Sequence, residues 1–228
     1  MNLEAQIQTP QPRTPAWAML RTLGGIAMIS GLLVALVYQF TLPIIAENQR
    51  VLTEQAVFRV LPGAVGKRDF VITADGALSP AGEGVDGALV YGAYDQDGGL
   101  VGVAITGSAL GYAGPVNVMF AYDPECACIT ASKVLQSNET PGFGDKLDFD
   151  PAFLKNFEAL DARLNDGGDA LANEIVTVKH GTKTQSWEID GISGATISSK
   201  AMGRAANNAA QRAVPAIARD LAVLTQQN

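Results

Sequence analysis

The chain has 228 residues, a formal net charge of −7, a mean hydropathy of +0.14 and 47% hydrophobic residues. That length holds one sizeable domain plus something small. The acidic balance and the absence of a Lys/Arg run exclude a nucleic-acid binder, which needs clustered cations to neutralise phosphates. One histidine and two cysteines leave too few soft ligands for a protein-only zinc or iron–sulfur site, so any such metal would need ligands from another subunit.

Residues 1–15 are polar and proline-bearing and read as a disordered tip. Residues 22–46 then carry no charge at all, a run long enough to cross a bilayer core. A cleaved signal peptide fits poorly, because its apolar region is shorter and Ile44, two before Ala46, spoils a small-x-small cleavage site. Arg13 and Arg21 precede the run and Glu47 follows it, which places the N-terminus in the cytoplasm. The expected organisation is a cytoplasmic tail (1–21), a transmembrane helix (22–46) and an outer domain (47–228, core about 85–210), which in a Gram-negative bacterium means an inner-membrane anchor and a periplasmic domain. The first 46 residues carry +1, leaving −8 on the remainder.

Beyond the anchor, Val51, Leu52, Gln55, Phe58 and Leu61 recur at helical spacing until Pro62-Gly63 stops the pattern. Gly82-Glu83-Gly84-Val85-Asp86-Gly87 matches a dinucleotide fingerprint in letters only, since no strand precedes it and no helix follows; it is a loop. Residues 89–94 and 100–105 flank Asp95-Gln96-Asp97-Gly98-Gly99 as a hairpin, and that turn lacks the downstream ligands of a calcium loop. Residues 116–122 and 129–135 form a second hairpin around Asp123-Pro124-Glu125. Cys126 and Cys128 are either two small residues on one strand face or a short-loop disulfide, the first being the commoner use. Residues 149–164 read as a helix with Pro151 in its first turn. Residues 175–178 and 187–189 are short strands, and an Ala-rich helix over 199–224, interrupted at Pro215, closes the chain. The fold class is α+β: one N-terminal transmembrane helix, then a domain of mixed strands and helices.

Two stretches carry chemistry. Asp190-Gly191-Ile192-Ser193-Gly194-Ala195-Thr196 leads small residues and a hydroxyl into a helix, where unpaired amides and the dipole favour a phosphate. The competing reading is an ordinary cap, with Ser193 or Thr196 accepting from a backbone amide. Glu139-Thr140-Pro141-Gly142-Phe143-Gly144 offers amides, a hydroxyl and an aromatic on a rigid turn that can approach a planar ligand. Its competing reading is a plain type II turn. His180, the sole histidine, lies in a Lys179-His180-Gly181 turn with no nucleophile motif beside it and reads as a surface residue.

Taken together, the loop at 139–144 and the Ser193-Gly194-Ala195-Thr196 motif some fifty residues later resemble the covalent FMN-binding domain. That domain occurs in the G subunit of the Rnf electron-transport complex and the C subunit of the sodium-pumping NADH:quinone reductase. Gly111-Tyr112-Ala113-Gly114-Pro115 and the compact length resemble the Rnf protein more closely. The resemblance implies FMN joined by a phosphoester to Thr196, which makes the chain a phosphoprotein, with Ser193, Gly194 and Ala195 shaping the phosphate turn. It further implies that Glu139, Thr140, Gly142, Phe143 and Gly144 line the flavin ring, with no residue catalytic on its own account. Phe143 stands where relatives carry leucine, and Ser198 where many carry threonine. The implied partners are the other membrane subunits of an Rnf complex and, during maturation, a flavin transferase that delivers FMN from FAD. The implied function is electron relay between ferredoxin and NAD coupled to ion transport. Two alternatives stand beside it: a non-redox membrane subunit whose motif is only a helix cap, and a stand-alone flavin reductase.

Overall fold

The computed structural model describes residues 15–82 and 86–226. The N-terminal tip with Arg13, and the centre of the 82–87 loop, lie outside the described residues. Two compact units meet between Arg50 and Val51.

In the first unit the chain forms most of α1 (Ala16–Val60). Among the described residues this is the one helix long and apolar enough to cross a membrane, and none of its apolar stretch is buried in protein. The predicted anchor and the predicted amphipathic segment are one continuous helix. Pro43 lies inside it, and Thr41 Oγ1, two residues earlier, donates to the carbonyls of Val37 and Tyr38. Lipid-facing helices tolerate such a proline when side chains take up nearby carbonyls.

The second unit is built on a seven-stranded antiparallel sheet: β1 (Gly66–Ile72), β2 (Leu78–Pro80), β3 (Ala88–Tyr94), β4 (Leu100–Leu110), β5 (Pro115–Asp123), β6 (Cys128–Gln136) and β7 (Leu160–Asp161). Its order is β2-β1-β3-β4-β5-β6-β7. Both predicted hairpins are present, as β3–β4 and β5–β6. Side chains alternate between two cores, as the period of a strand requires. On β5, Val116, Val118, Phe120 and Tyr122 enter one core while Met119 and Ala121 enter the other. The second core is closed by Ala56, Val57 and Val60 at the end of α1 and by Leu61. The first is closed by α3 (Thr196–Arg219), whose buried stripe is mostly alanine: Ala201, Ala205, Ala206, Ala209, Ala210 and Ala213. Small side chains let the helix backbone come close to the sheet. At Gly107 of β4 an added Cβ would stand 2.1 Å from the carbonyl oxygen of Ala205.

Two predicted helices differ from the structure. Residues 149–164 are not one helix but α2 (Pro151–Leu154), one turn capped by Asp150, then a 3-10 turn (Lys155–Phe157) and β7. Phe153, Phe157 and Leu160 have helical spacing, yet all three are buried without a long helix. The reason is tertiary: Leu160 and Asp161 pair with Ile129 and Cys128 and complete the sheet edge. The closing helix does not break at Pro215. Burial of Val214, Ala216 and Ile217 carries α3 past the proline to Arg219. The break falls at Asp220, whose carboxylate accepts from the Leu78 amide, before α4 (Leu221–Thr225). The short predicted strands form a parallel pair, β8 (Val176–Val178) and β9 (Glu188–Asp190).

Candidate functional site

Strand register brings the two predicted loops together. Leu110 faces Pro115 across β4–β5, and Asn117 faces Gln136 across β5–β6. The loops 111–114 and 137–144 therefore leave the same end of the sheet, and β9 runs into α3 to deliver its first turn there. Gly194, at φ +85°, makes the reversal before the helix, a backbone region that a side chain would strain.

The helix start is not capped by a side chain. The N-cap residue is Ala195, and neither Ser193 nor Thr196 bonds a backbone donor there. Ser199 orders the turn from inside the helix: its Oγ accepts from the Ile192 amide (3.0 Å) and donates to the Ala195 carbonyl (2.9 Å). The first helical bond runs from Ser199 N–H to the Ala195 carbonyl, so the amides of Thr196, Ile197 and Ser198 precede the ladder. They stand at the positive end of a 24-residue helix. Thr196 is exposed, and among the described residues no protein group holds its hydroxyl.

The 139–144 loop does make a turn, with Phe143 N–H donating to the Thr140 carbonyl and Gly142 at φ +80°. That turn presents Phe143 rather than burying it, leaving the residue 61% exposed. Between this loop and the start of α3 lies a cavity of about 410 Å³. Of the residues singled out in the sequence, Glu139, Thr140, Phe143 and Gly144 line it from one side and Gly194, Ala195 and Thr196 from the other. Gly142 and Ser193 do not line it; Gly142 is spent on the turn, and Ser193 faces a smaller cavity of about 260 Å³ beside Lys146, His180 and Asp190. Sequence reasoning missed Tyr112, Ile197 and Ser198, which also line the main cavity. Tyr112 had a signal, its place in the Gly111–Pro115 segment; Ser198 had one, its place where many relatives carry threonine; Ile197 had none beyond adjacency to Thr196.

A broader hollow of about 550 Å³ runs past Asn156, Lys183 and Asp190, and burial there pushes the Lys183 ammonium below its usual pKa. It is polar and open and touches neither the 139–144 loop nor Ser193-Gly194-Ala195-Thr196, so size alone does not mark the site. His180 is a surface residue as expected, its side chain 63% exposed, with Nδ1 2.9 Å from the Gly191 carbonyl oxygen. Cys126 and Cys128 are joined as a disulfide, not left as two free small residues. The chain reverses direction between them, with Ala127 at φ +50°, which brings the two Cα atoms to 5.2 Å. No cluster of three metal-binding side chains occurs among the described residues.

Residues 111–211 match the FMN-binding domain family. The match begins at Gly111, the first residue of the loop beside Glu139, and runs through the start of α3. Over 119 residues the chain is 35% identical to the G subunit of the Na(+)-translocating ferredoxin:NAD(+) oxidoreductase complex of Acetobacterium woodii, an alignment spanning 51% of each chain. Over 184 residues it is 28% identical to the G subunit of the ion-translocating oxidoreductase complex of Methanosarcina acetivorans, covering 81% of this chain and 87% of that one. The chain thus spans about half the length of the first relative and most of the second. Among solved structures, the C subunit of the Na(+)-translocating NADH-quinone reductase of Parabacteroides distasonis superposes with a TM-score of 0.57 at 19% identity, covering 80% of this chain and 96% of that one. This chain shares its fold with that protein.

Proposed function

We propose that this chain is the flavin-bearing subunit of a membrane-bound, ion-translocating oxidoreductase of the Rnf type, with FMN esterified through its phosphate to Thr196. The observation that carries the reading is the free hydroxyl of Thr196 at an uncapped helix start, on the wall of the cavity formed with the 139–144 loop. The residues fit the group. A 410 Å³ cavity lies within the roughly 300–1,000 Å³ usual for small-molecule sites. Tyr112, Phe143 and Ile197 supply apolar walls for a planar ring, and the amides opening α3 favour a phosphate.

Bound there, FMN would accept and release electrons, which is chemistry this chain's side chains do not supply. The protein's own part is to hold and orient. An ester at Thr196 would prevent loss of the cofactor, Gly194 and Ala195 would let the backbone approach the phosphate, and Thr140 and the loop amides would hold the ring edge. In the attachment step, the Thr196 hydroxyl oxygen bonds to the FMN-side phosphorus of FAD, the pyrophosphate bond breaks, and AMP leaves as a flavin transferase takes up the hydroxyl proton. The membrane topology we infer has α1 spanning the inner membrane, residues 1–21 in the cytoplasm and the domain in the periplasm. Held by Thr196 and the 139–144 loop, FMN would supply electron relay to a redox centre in a neighbouring protein of the complex, between ferredoxin and NAD. Expression with a flavin transferase, followed by denaturing electrophoresis, tests the tether. Fluorescence should travel with the wild-type band and vanish in Thr196→Ala; a dark wild-type band, or a fluorescent variant, would overturn it.

A further inference from the structure

Glu139 is one of five buried polar or charged residues among those described, and its carboxylate reaches from its own loop to two other chain segments. Oε1 accepts from the amides of Tyr112 (2.8 Å) and Ala113 (3.0 Å). Oε2 accepts from the Ser198 hydroxyl in the first turn of α3. Its own amide donates to Ser137 Oγ (3.1 Å). Space is reserved for it: an added Cβ at Gly111 would stand 2.4 Å from Oε1, and one at Gly144 would stand 2.7 Å from Oε2. The side chain therefore sits in a socket of two glycines and ties the 111–114 loop, the 139–144 loop and the helix bearing Thr196 to one another.

We propose that Glu139 is a positioning residue with a redox consequence: it fixes the three walls of the cavity and places one buried negative charge beside the flavin ring. The proposal rests on the reading of this cavity as an FMN site. Reduction adds electrons to the ring, and a nearby negative charge opposes that in a weakly screening interior. The carboxylate thus lowers the flavin's midpoint potential. Accepting from three donors lets the charge be buried, since an unpaired buried charge is strongly disfavoured. Among the described residues no lysine or arginine lines this cavity to cancel it.

The test compares full-length wild type, Glu139→Gln, Glu139→Asp and Ser198→Ala, each expressed with the flavin transferase and titrated spectroelectrochemically in detergent. Glu139→Gln keeps an oxygen for the Tyr112 and Ala113 amides but removes the charge. Its flavin should become easier to reduce by on the order of tenfold, or about 30 mV for a two-electron couple. Glu139→Asp keeps the charge and should stay near wild type, as should Ser198→Ala, which loses one donor only. A Glu139→Gln potential equal to wild type, or an equal shift in Glu139→Asp, overturns the charge role. Amide exchange on protein made without the transferase reads the positioning role separately and does not depend on flavin. Tyr112 and Ala113 should lose at least tenfold protection in Glu139→Ala at unchanged global exchange, and retained protection overturns the strut. If Glu139→Ala fails to fold, the same two amides are followed in Glu139→Met, which fills the socket without an oxygen acceptor, and retained protection there also overturns the strut. If wild type itself carries no flavin, the function proposed above fails while the exchange result still decides the strut.

Discussion

Gly107→Ala is the sharpest probe of how the sheet presents the helix that carries Thr196. The added methyl would stand 2.1 Å from the Ala205 carbonyl oxygen, 2.9 Å from its carbon and 3.0 Å from the Ala209 Cβ. None of these is the far end of a flexible side chain, so α3 as a whole must move off β4. Overpacking of a close-packed core costs about 1–3 kcal/mol, and a clash with backbone belongs at the upper end. For a domain of this size each kcal/mol lowers Tm by about 2–4 °C, so a loss near 3 kcal/mol predicts a drop of about 6–12 °C. The assay is thermal unfolding of the full chain in detergent, followed by near-ultraviolet circular dichroism. A Tm within about 1 °C of wild type would refute the close approach of α3 to β4 and the Ala-stripe reasoning with it.

Asp161 accepts from Arg163 Nε (2.9 Å), the Arg163 amide (3.0 Å) and Ser186 Oγ (3.2 Å). The Arg163 guanidinium leads in holding its pKa below the usual carboxylate value. A carboxylate with a depressed folded pKa adds stability above its unfolded value, near 3.9, and that stability is lost as pH falls through the folded value. Asp161→Asn should therefore flatten the acid limb of a stability–pH profile below about pH 4, and an unchanged limb would count against the pairing. The Cys126–Cys128 bond closes only three residues, so chain entropy gives it about 1.5 kcal/mol at most. Reduction should add two alkylatable thiols by mass while lowering Tm by only about 3–6 °C; a chain that unfolds on reduction would contradict this.

Much of the sheet was legible because its signals are local. Alternation and Asp/Gly/Pro turns marked β3 to β6, and a charge-free run marked the spanning part of α1. What the sequence hid was decided by distant partners. Phe153, Phe157 and Leu160 mimic a helix stripe, but β6 offers an open edge that Leu160 and Asp161 complete. Pro215 reads as a breaker until the burial of Ile217 is seen to hold α3 together. At the site, the two motifs were visible as letters, yet their meeting depends on sheet register across β4, β5 and β6. The cap reading of Thr196 was undecidable in sequence because Ser199, not Ser193 or Thr196, orders that turn. The resemblance put Glu139 at the flavin ring; the structure sets it on the cavity wall, its carboxylate accepting from the Tyr112 and Ala113 amides and from Ser198.

The most direct measurement is peptide mass mapping of the full chain purified after expression with a flavin transferase. The account predicts one FMN, as a phosphoester, on the peptide containing Thr196, and none on the Thr196→Ala chain. An unmodified Thr196 peptide, or FMN on any other residue, would contradict it.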